Sequence, residues 1–360
     1  MEKYRVGIVG ATGMVGQRFI SLLKDHPWFE VNCVAASARS AGKTYREAVG
    51  ERWAFAWEIP EKVAGMTVVD AADIDEVSKH VDFVFCAVDM KKDEIRALEE
   101  AYAKHEIPVV SNNSACRGIE DVPMVVPEIN ADHLAVIEAQ KKRLGTKNGF
   151  IAVKPNCSIQ SYVPALTPLL DFEPEKVSVC TYQAISGAGK TFKTWPEMVD
   201  NVIPYIGGED EKSENEPLKL WGHVEDGKIV NAALPVISAQ CLRVACSDGH
   251  MAAVSVSFKK KPTIEQIKER WANYETEAQR LELPSAPKPF LQYFEDPSRP
   301  QTRLDRDFQN GFGVSIGRLR EDKLFDYRFV CLSHNTVRGA AGGILTAELL
   351  CRKGYIPHRV

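Results

Sequence analysis

Apolar strands alternate with amphipathic helices over about the first 150 residues of the chain. The pattern predicts strands at residues 4–9, 29–35, 81–87 and 108–111, and helices at residues 14–24 and 92–105. Nearly continuous apolar strands that are joined by helices are typical of a parallel sheet covered on both faces. We therefore expect an α/β fold in which residues 1–154 form a doubly wound, mostly parallel Rossmann-type sheet.

The pattern changes after residue 150, where fewer helices separate the strands. Further strands are predicted at residues 176–184, 251–258, 314–318 and 327–332, which favours an α+β domain with a mixed sheet over residues 155–333. Residues 281–303 are rich in proline and polar residues and are interpreted as a surface excursion. A closing helix is predicted at residues 336–351.

Composition excludes several classes of function. The 360 residues carry a formal net charge of -4, so neither a nucleic-acid footprint nor a polybasic membrane signal is present. No apolar run reaches the roughly 20 residues needed to span a bilayer, and no leader segment is recognisable. Nine scattered cysteines predict neither a disulfide framework nor a metal site. We expect a cytoplasmic protein with no metal, nucleic-acid or membrane partner.

A glycine-rich turn joins the first predicted strand to the first helix. Its glycines, Gly10, Gly13 and Gly16, remove Cβ atoms where a pyrophosphate would approach backbone N–H groups. The spacing differs from GxGxxG, but the strand–turn–helix context is that of a dinucleotide site. The candidate cofactor contacts in this turn are Gly10, Thr12, Gly13, Met14 and Val15. The alternative is a tight turn whose glycines serve packing alone.

The end of the second predicted strand indicates which dinucleotide is bound. Ser37, Arg39 and Ser40 stand where an NAD site usually carries an acidic residue for the ribose hydroxyl. A guanidinium group binds phosphate oxygens in a two-pronged fork, so Arg39 favours NADP. A solvated loop is the alternative.

Cys157 lies between an apolar strand and an apolar helical run at residues 162–170. A cysteine at a helix N-terminus has a lowered pKa, because the helix dipole stabilises the thiolate. Asn156 could orient a substrate or donate a hydrogen bond to an oxyanion. A cysteine in such a position is, taken alone, more often structural than catalytic.

A second cluster spans residues 243–250. Arg243 lies on a predicted strand and His250 opens the next one, so a hairpin could aim both side chains into one cleft. Histidine is suited to taking and returning the thiol proton, and arginine to binding a carboxylate. A capped turn histidine and a surface arginine remain the alternatives.

The chain resembles the aspartate-semialdehyde dehydrogenase family from end to end, and its motifs are most similar to those of the archaeal and fungal branch. The resemblance rests on ordered motifs: GATGMVGQRF (10–19), SARSAGK (37–43), PNCSIQ (155–160), YQAISGAGK (182–190), IPYIGGEDEKSENEPLK (203–219), RVACSDGH (243–250) and LSHNTVRGAAGG (332–343). The segment 87–90 and Cys116 depart from the family wording without removing a catalytic group.

The resemblance implies a role for each matched residue. Cys157 would be the nucleophile and His250 the acid–base, with Gln183 orienting the acyl group. Arg243 would bind the substrate carboxylate and Glu216 its amino group, while Lys219 and Arg117 would hold phosphate. The remaining cofactor contacts would be Cys86, Ser186, Gly187 and Asn335.

The family likeness also implies an architecture and a reaction. Residues 155–333 would form the catalytic and dimerisation domain of a homodimer or homotetramer, and residues 334–360 would complete the nucleotide domain. The reaction would be the NADP-dependent, reversible conversion of L-4-aspartyl phosphate to L-aspartate 4-semialdehyde and inorganic phosphate.

Four rival functions compete with this one. Acyl-CoA reductases and N-acetyl-glutamyl-phosphate reductases share the chemistry, but Arg117 and Lys219 favour a phosphate site over coenzyme A. A cysteine hydrolase would leave the glycine-rich turn without a purpose. A protein that only senses NADP would leave the Cys, His, Arg and Gln side chains unexplained.

Overall fold

The computed structural model describes residues 2–358, so the outermost residues of the predicted first domain, at 1 and 359–360, lie outside the described part. Six parallel strands form the first sheet, in the order β3-β2-β1-β4-β5-β6. They are β1 (Tyr4–Val9), β2 (Phe29–Ala36), β3 (Val69–Asp70), β4 (Phe83–Cys86), β5 (Val109–Ser111) and β6 (Ile151–Val153). The doubly wound parallel sheet is confirmed.

Helices cover this sheet. The α-helices are α1 (Met14–Leu23), α2 (Tyr45–Val49), α3 (Glu61–Ala64), α4 (Ile74–Ser78), α5 (Lys92–Lys104) and α6 (Ile137–Leu144). Short 3-10 helices lie at Gly50–Arg52 and Ala131–Val136. The predicted bounds of β1 agree with the structure. Those of α1 and α5 differ from it by one residue at the C-terminal end, because the repeat of apolar side chains along each helix ends where the helix stops packing against the core.

A mixed, seven-stranded sheet forms the core of the second half of the chain, with its strands in the order β13-β14-β15-β12-β7-β11-β8. Its strands are β7 (Pro174–Gln183), β8 (Val202–Ile203), β11 (Val236–Val244), β12 (His250–Phe258), β13 (Leu291–Phe294), β14 (Val314–Glu321) and β15 (Tyr327–Ser333), and a small hairpin is formed by β9 (His223–Glu225) and β10 (Lys228–Val230). The β7/β11 and β13/β14 pairs are parallel and the others antiparallel. This confirms the mixed sheet.

Three of the six α-helices in the rest of the described chain have four residues each, and the other three have nine to twelve. They are α7 (Val163–Leu166), α8 (Glu209–Leu220), α9 (Ile264–Ala272), α10 (Glu277–Arg280), α11 (Thr302–Asp305) and α12 (Gly343–Arg352). The 3-10 helices are Thr167–Phe172, Ile185–Ala188, Pro196–Met198 and Phe308–Gly311, and Val337–Ala341 forms a π-helical turn. No helix within residues 2–358 is long and apolar enough to cross a membrane.

Two sequence predictions in this half were wrong. Residues 281–303 are not only a surface excursion, because Leu291–Phe294 joins the sheet beside β14 and Phe290 is fully buried. The closing helix does not begin at residue 336. A π-helical turn precedes it, and α12 begins at Gly343, which packs near Val110 and Phe19.

The C-terminal segment ties the two halves of the chain together. Ile344, Leu345 and Leu349 pack into the core of the first sheet. Just before them, Arg338 Nη1 donates to Glu128 Oε1 at 2.8 Å and to the Phe312 carbonyl at 2.8 Å. Both charged side chains are almost fully buried, and removing one partner of such a pair costs about 3–5 kcal/mol. The ion pair between Arg338 and Glu128 therefore fixes the place at which the C-terminal segment passes from the second sheet to the first.

Candidate active site

A cavity of about 460 Å³ opens where the carboxyl ends of the first sheet face loops of the second. It sits beside β1 and β4, the point at which the strand order reverses, which is where open α/β sheets bind ligands. Of the predicted chemical residues, Asn156, Cys157 and Arg117 line it directly. The structure thus brings together segments that are far apart in the sequence.

Cys157 lines this cavity, and the fully buried His250 lies behind it. The Sγ atom of Cys157 lies 3.5 Å from Nε2 of His250. On the opposite side of the ring, Nδ1 accepts a hydrogen bond from the Ala184 N–H at 3.0 Å. Because Nδ1 must keep its lone pair for this bond, the ring proton resides on Nε2 and points toward the sulfur.

The imidazole is held in its neutral form. Complete burial, reinforced by the nearby Arg243 charge, lowers the pKa of His250 to about 3. The acid–base role expected for His250 stays a prediction, because the lowered pKa makes the ring a weaker base but leaves it in contact with the thiol. A ring whose Nδ1 accepts a backbone N–H and whose charged form is desolvated acts as a hydrogen-bond donor toward the sulfur or a substrate oxygen.

Cys157 does not stand at a helix N-terminus, contrary to the sequence expectation. Residues 157–162 form turns, and α7 begins only at Val163. The Oδ1 atom of Asn156 accepts hydrogen bonds from the Ser158 N–H and hydroxyl, a local arrangement that competes with a helical start. Burial first, and the Glu209 charge second, raise the pKa of the Cys157 thiol, while Lys154 opposes them.

Glu209 is the carboxylate around which the reactive segment is organised. It accepts from the Asn156 amide at 2.9 and 3.1 Å, from the Gln183 amide at 3.1 Å and from the Lys212 ammonium at 2.8 Å. The Asn156 amide that was predicted to face an oxyanion is thus turned to Glu209 instead. Gln183 is buried at the end of β7, with its amide nitrogen turned to Glu209 and to the Thr181 hydroxyl.

Arg243 lies next to His250, but the predicted hairpin was wrong, because β7 lies between β11 and β12 in the sheet. Its Nη1 atom donates to the Ala184 carbonyl at 2.7 Å, and burial lowers its pKa. A Cβ atom on Gly187 would lie 2.8 Å from Arg243 Nη1 and 3.0 Å from His250 Nε2. The glycine therefore leaves space beside both side chains that any larger residue would fill.

Arg117, Glu216 and Lys219 come together, but not all of them as predicted. Arg117 Nη1 donates to Glu216 Oε1 at 2.9 Å, and the other oxygen of Glu216 accepts from the Asn156 N–H at 2.6 Å. The Lys219 ammonium donates to the carbonyls of Arg117, Ile119 and Val122 at 2.7, 2.7 and 3.0 Å. Since an ammonium group has three donors, Lys219 holds the loop of Arg117 and has no donor left for phosphate.

The predicted cofactor residues divide into two groups. Met14, Val15, Ser186, Gly187 and Asn335 line the cavity. Asn335 is also a brace, because it accepts from the Gly249 N–H at 2.8 Å and donates to the Ser186 hydroxyl at 2.8 Å. The side chain of Cys86 is buried behind the wall, which Val88, Asp89 and Met90 form instead.

The glycine-rich turn has the form that a dinucleotide needs. Gly10 has a φ of +90°, and a Cβ atom there would lie 2.4 Å from the Ala87 carbonyl oxygen. Gly13 is exposed and stands directly before α1, and the adjacent Thr12 is partly exposed. The N–H groups at the start of α1 are thus open to an anionic ligand.

The residues after β2 remain accessible. Ser37 and Arg39 are exposed and Ser40 is buried in the turn that they form. Among residues 2–358, no ion pair engages the Arg39 guanidinium, so it stands open at the edge where the ribose of a bound dinucleotide lies in this fold.

Sequence reasoning missed several cavity residues. Lys92, Lys154, Lys212 and Glu209 all line it, and each carries a charge. Lys154 stands directly before the recognised PNC motif, and Glu209 opens α8 in the acidic run. Charged residues inside or beside motifs were the available signal, but the burial of Lys154 and Glu209 could be seen only in the fold.

Comparison with known proteins identifies the family. The model of the semialdehyde dehydrogenase NAD-binding domain matches residues 5–137, and the model of the semialdehyde dehydrogenase dimerisation domain matches residues 166–338. The aspartate-semialdehyde dehydrogenase of Schizosaccharomyces pombe is 45% identical over 98% of this chain and 99% of its own. The chain belongs to the aspartate-semialdehyde dehydrogenase family.

Further members of the family come from fungi and archaea alike. The enzyme of Archaeoglobus fulgidus is 43% identical over 98% of this chain and 100% of its own. The crystal structure of the Candida albicans aspartate-semialdehyde dehydrogenase with NADP is 39% identical, has a TM-score of 0.89 and covers 99% of this chain and 100% of its own. The resemblance seen in the motifs is confirmed.

The charge of Glu209 should set the reactivity of Cys157. In Glu209→Gln the pKa of Cys157 should fall, because a negative charge that disfavours the thiolate is removed. The pH profile of Cys157 alkylation by iodoacetamide, followed by mass spectrometry of its peptide, should therefore shift to lower pH. Glu211→Gln, an exposed change on the same helix, is the matched control. An unshifted profile in Glu209→Gln would show that this charge does not act on the sulfur.

Proposed function

We propose that the protein catalyses the reductive dephosphorylation of L-4-aspartyl phosphate to L-aspartate 4-semialdehyde through a thioester on Cys157. The reaction is reversible, depends on NADP and belongs to the biosynthesis of lysine, threonine and methionine. The observation that carries the proposal is the 3.5 Å approach of Cys157 Sγ to His250 Nε2 in a cavity that the glycine-rich turn also borders.

NADP fits the first domain. The Candida albicans relative is described in complex with NADP, and here Gly13 is exposed directly before α1, at the turn where a pyrophosphate would approach. We assign the phosphates to the N–H groups at the start of α1 and the 2′-phosphate to Arg39, with Ser37 and Ser40 beside it. When bound, NADPH supplies the hydride that reduces the thioester.

Cys157 performs the covalent step. Its sulfur attacks the acyl carbon of the substrate, the bond to the phosphoryl oxygen breaks, and the thiol proton leaves with inorganic phosphate. His250 donates a hydrogen bond from Nε2 to the carbonyl oxygen of the thioester and stabilises the negative charge that forms on this oxygen, which then becomes the aldehyde oxygen as the Cys157 thiolate is expelled. A neutral ring with its proton on Nε2 is suited to this task.

The substrate is held by charges around the thiol. Arg243 is placed to bind the α-carboxylate, next to the space left by Gly187. The α-amino group faces the acidic side of α8, where Glu209 and Glu216 lie seven residues apart on one face. We assign phosphate to Arg117, whose Nε atom is buried and has no hydrogen-bond partner among the described residues. Gln183 lies between these groups and the acyl carbon.

The decisive experiment measures NADPH formation from L-aspartate 4-semialdehyde and NADP, with phosphate present and then omitted. We expect turnover only with phosphate, since phosphate must release the acyl group from Cys157. Cys157→Ser should abolish turnover while NADP binding, measured by fluorescence, stays within about twofold. Cys246→Ser is the matched control at a partly exposed cysteine. Phosphate-independent turnover, or normal turnover of Cys157→Ser, would refute the mechanism.

Arg39 should decide between the two dinucleotides. Arg39→Ala should raise the KM for NADP by about 10-fold or more, the loss of one charged hydrogen-bonding partner, and leave the weaker use of NAD almost unchanged. Arg46→Ala removes an exposed arginine of the same region and should change neither constant. Equal losses for NADP and NAD would place Arg39 away from the 2′-phosphate.

We also propose that the chain forms a homodimer or homotetramer through the second sheet. It exposes the apolar side chains of Tyr182 on β7, Val202 on β8 and Val236 on β11, which an interface with a second copy would bury. The match to a dimerisation domain supports the same surface.

The nine cysteines, from Cys33 to Cys351, are all free, which supports our placement of the protein in the reducing cytoplasm.

The association can be tested on one strand. Val236→Glu should shift the mass measured by light scattering toward that of a single chain, because a carboxylate would be buried in the interface. Leu324→Glu is the control, as Leu324 is 90% exposed on the turn before β15. A monomeric mass of the unaltered protein, or an unchanged mass of Val236→Glu, would contradict this interface.

A further inference from the structure

Lys154 is a buried lysine at the reactive cysteine that none of the steps above uses. Its side chain is 3% exposed and lines the cavity with Cys157 and Arg117. The Lys154 N–H donates to the Ser111 carbonyl at 2.9 Å, which fixes the residue at the carboxyl edge of the first sheet. A lysine is seldom buried to this extent without a partner of opposite charge.

The ammonium group of Lys154 has donors to spare. Nζ donates to the Pro155 carbonyl at 2.7 Å, and no ion pair engages it among residues 2–358. Three donors are available on an ammonium group, so two remain for a ligand. The neighbouring Arg117 has a second unused donor, the buried Nε atom that has no partner in the described part of the chain.

The cation that was expected to serve phosphate is occupied elsewhere. Lys219 spends its three donors on backbone carbonyls, as described above. Both terminal nitrogens of Arg117 donate hydrogen bonds, Nη1 to Glu216 and Nη2 to the Asn112 carbonyl. The unused donors among these three cations therefore belong to Lys154 and to Arg117 Nε.

We propose that Lys154 is a direct ligand of the phosphoryl group and of inorganic phosphate, and that it forms the anion subsite together with Arg117. The identity of the natural anion rests on the reaction proposed above, whereas the subsite itself is defined by these donors. Lys154 then binds the leaving phosphate beside the acyl carbon on Cys157, where negative charge collects as the acyl–phosphate bond breaks.

The electrostatic surroundings give the subsite a pH dependence. The charged groups facing Lys154 are Arg117 after β5, Arg338 of the C-terminal segment, Glu216 on α8 and Cys157 on its own loop. Burial first, then Arg117, lower the pKa of Lys154 to about 7, and Cys157 and Glu216 act in the opposite direction. A bound dianion adds negative charge and favours the ammonium form, so anion binding should be strongest below pH 7 and weaken as pH rises above it.

Sulfate is the appropriate probe, since its charge stays constant between pH 6 and 9 while that of phosphate does not. The experiment measures how sulfate slows the alkylation of Cys157 by iodoacetamide, as the ratio of rates with and without sulfate at each pH. His250, with its pKa of about 3, does not titrate in this range. This measurement needs neither NADP nor turnover, so its result is independent of the phosphate-dependent assay.

We expect sulfate to protect the unaltered protein at pH 6.5 and to require a several-fold higher concentration at pH 8.5. Lys154→Gln should need about 10-fold to 100-fold more sulfate at pH 6.5, the loss of one charged hydrogen bond, and should raise the KM for phosphate more than the KM for NADP. Lys154→Arg should protect at both pH values, because its guanidinium stays charged. Lys142→Gln, an exposed change, should behave like the unaltered protein.

Equal sulfate protection in Lys154→Gln and the unaltered protein would overturn the proposal, and so would an absence of protection in the unaltered protein. If Lys154→Gln does not fold, the unaltered protein and Lys154→Arg decide: pH-independent protection in the former excludes Lys154 as the titrating ligand. Normal phosphate-dependent turnover beside any of these results would leave the proposed reaction standing and remove only Lys154 from it.

Discussion

The active site depends on the close passage of the C-terminal segment beneath the reactive cysteine. A Cβ atom on Gly339 would lie 2.8 Å from Cys157 Cβ, so the two backbones touch with no side chain between them. Four residues earlier, Asn335 connects the Gly249 N–H to the Ser186 hydroxyl, and one residue earlier Arg338 forms its buried pair with Glu128. The position of the thiol relative to His250 thus depends on where the C-terminal segment passes Cys157, and buried charges hold the segment at that place.

Within that frame the chemistry of the site is governed by desolvation. Burial keeps His250 neutral, raises the pKa of Cys157 and lowers that of Lys154. Each shift moves a group toward its uncharged form in the free protein. For Lys154 a bound anion would supply the missing counter-charge, whereas His250 already has its working, neutral form in the free protein.

The sequence was sufficient for the elements that local patterns determine. The parallel sheet, the glycine-rich turn and the Cys157–Arg243–His250 set followed from periodicity, from context and from the family motifs. The helix expected at Cys157 was wrong because Asn156 offers its own side chain to the Ser158 N–H, a local competition that apolar periodicity does not reveal. The role of Lys219 was not predictable either, since the three carbonyls that it binds lie about 100 positions away.

The return of α12 to the first sheet has a consequence for how the chain folds. Phe19 and Val110 pack against Gly343, so the first domain buries its core only with residues that follow the entire second sheet in the sequence. During synthesis on a ribosome, the first 150 residues emerge early but lack the helix that covers them. The dinucleotide-binding half therefore completes its folding last, together with the reactive thiol, and the nascent chain carries no assembled active site.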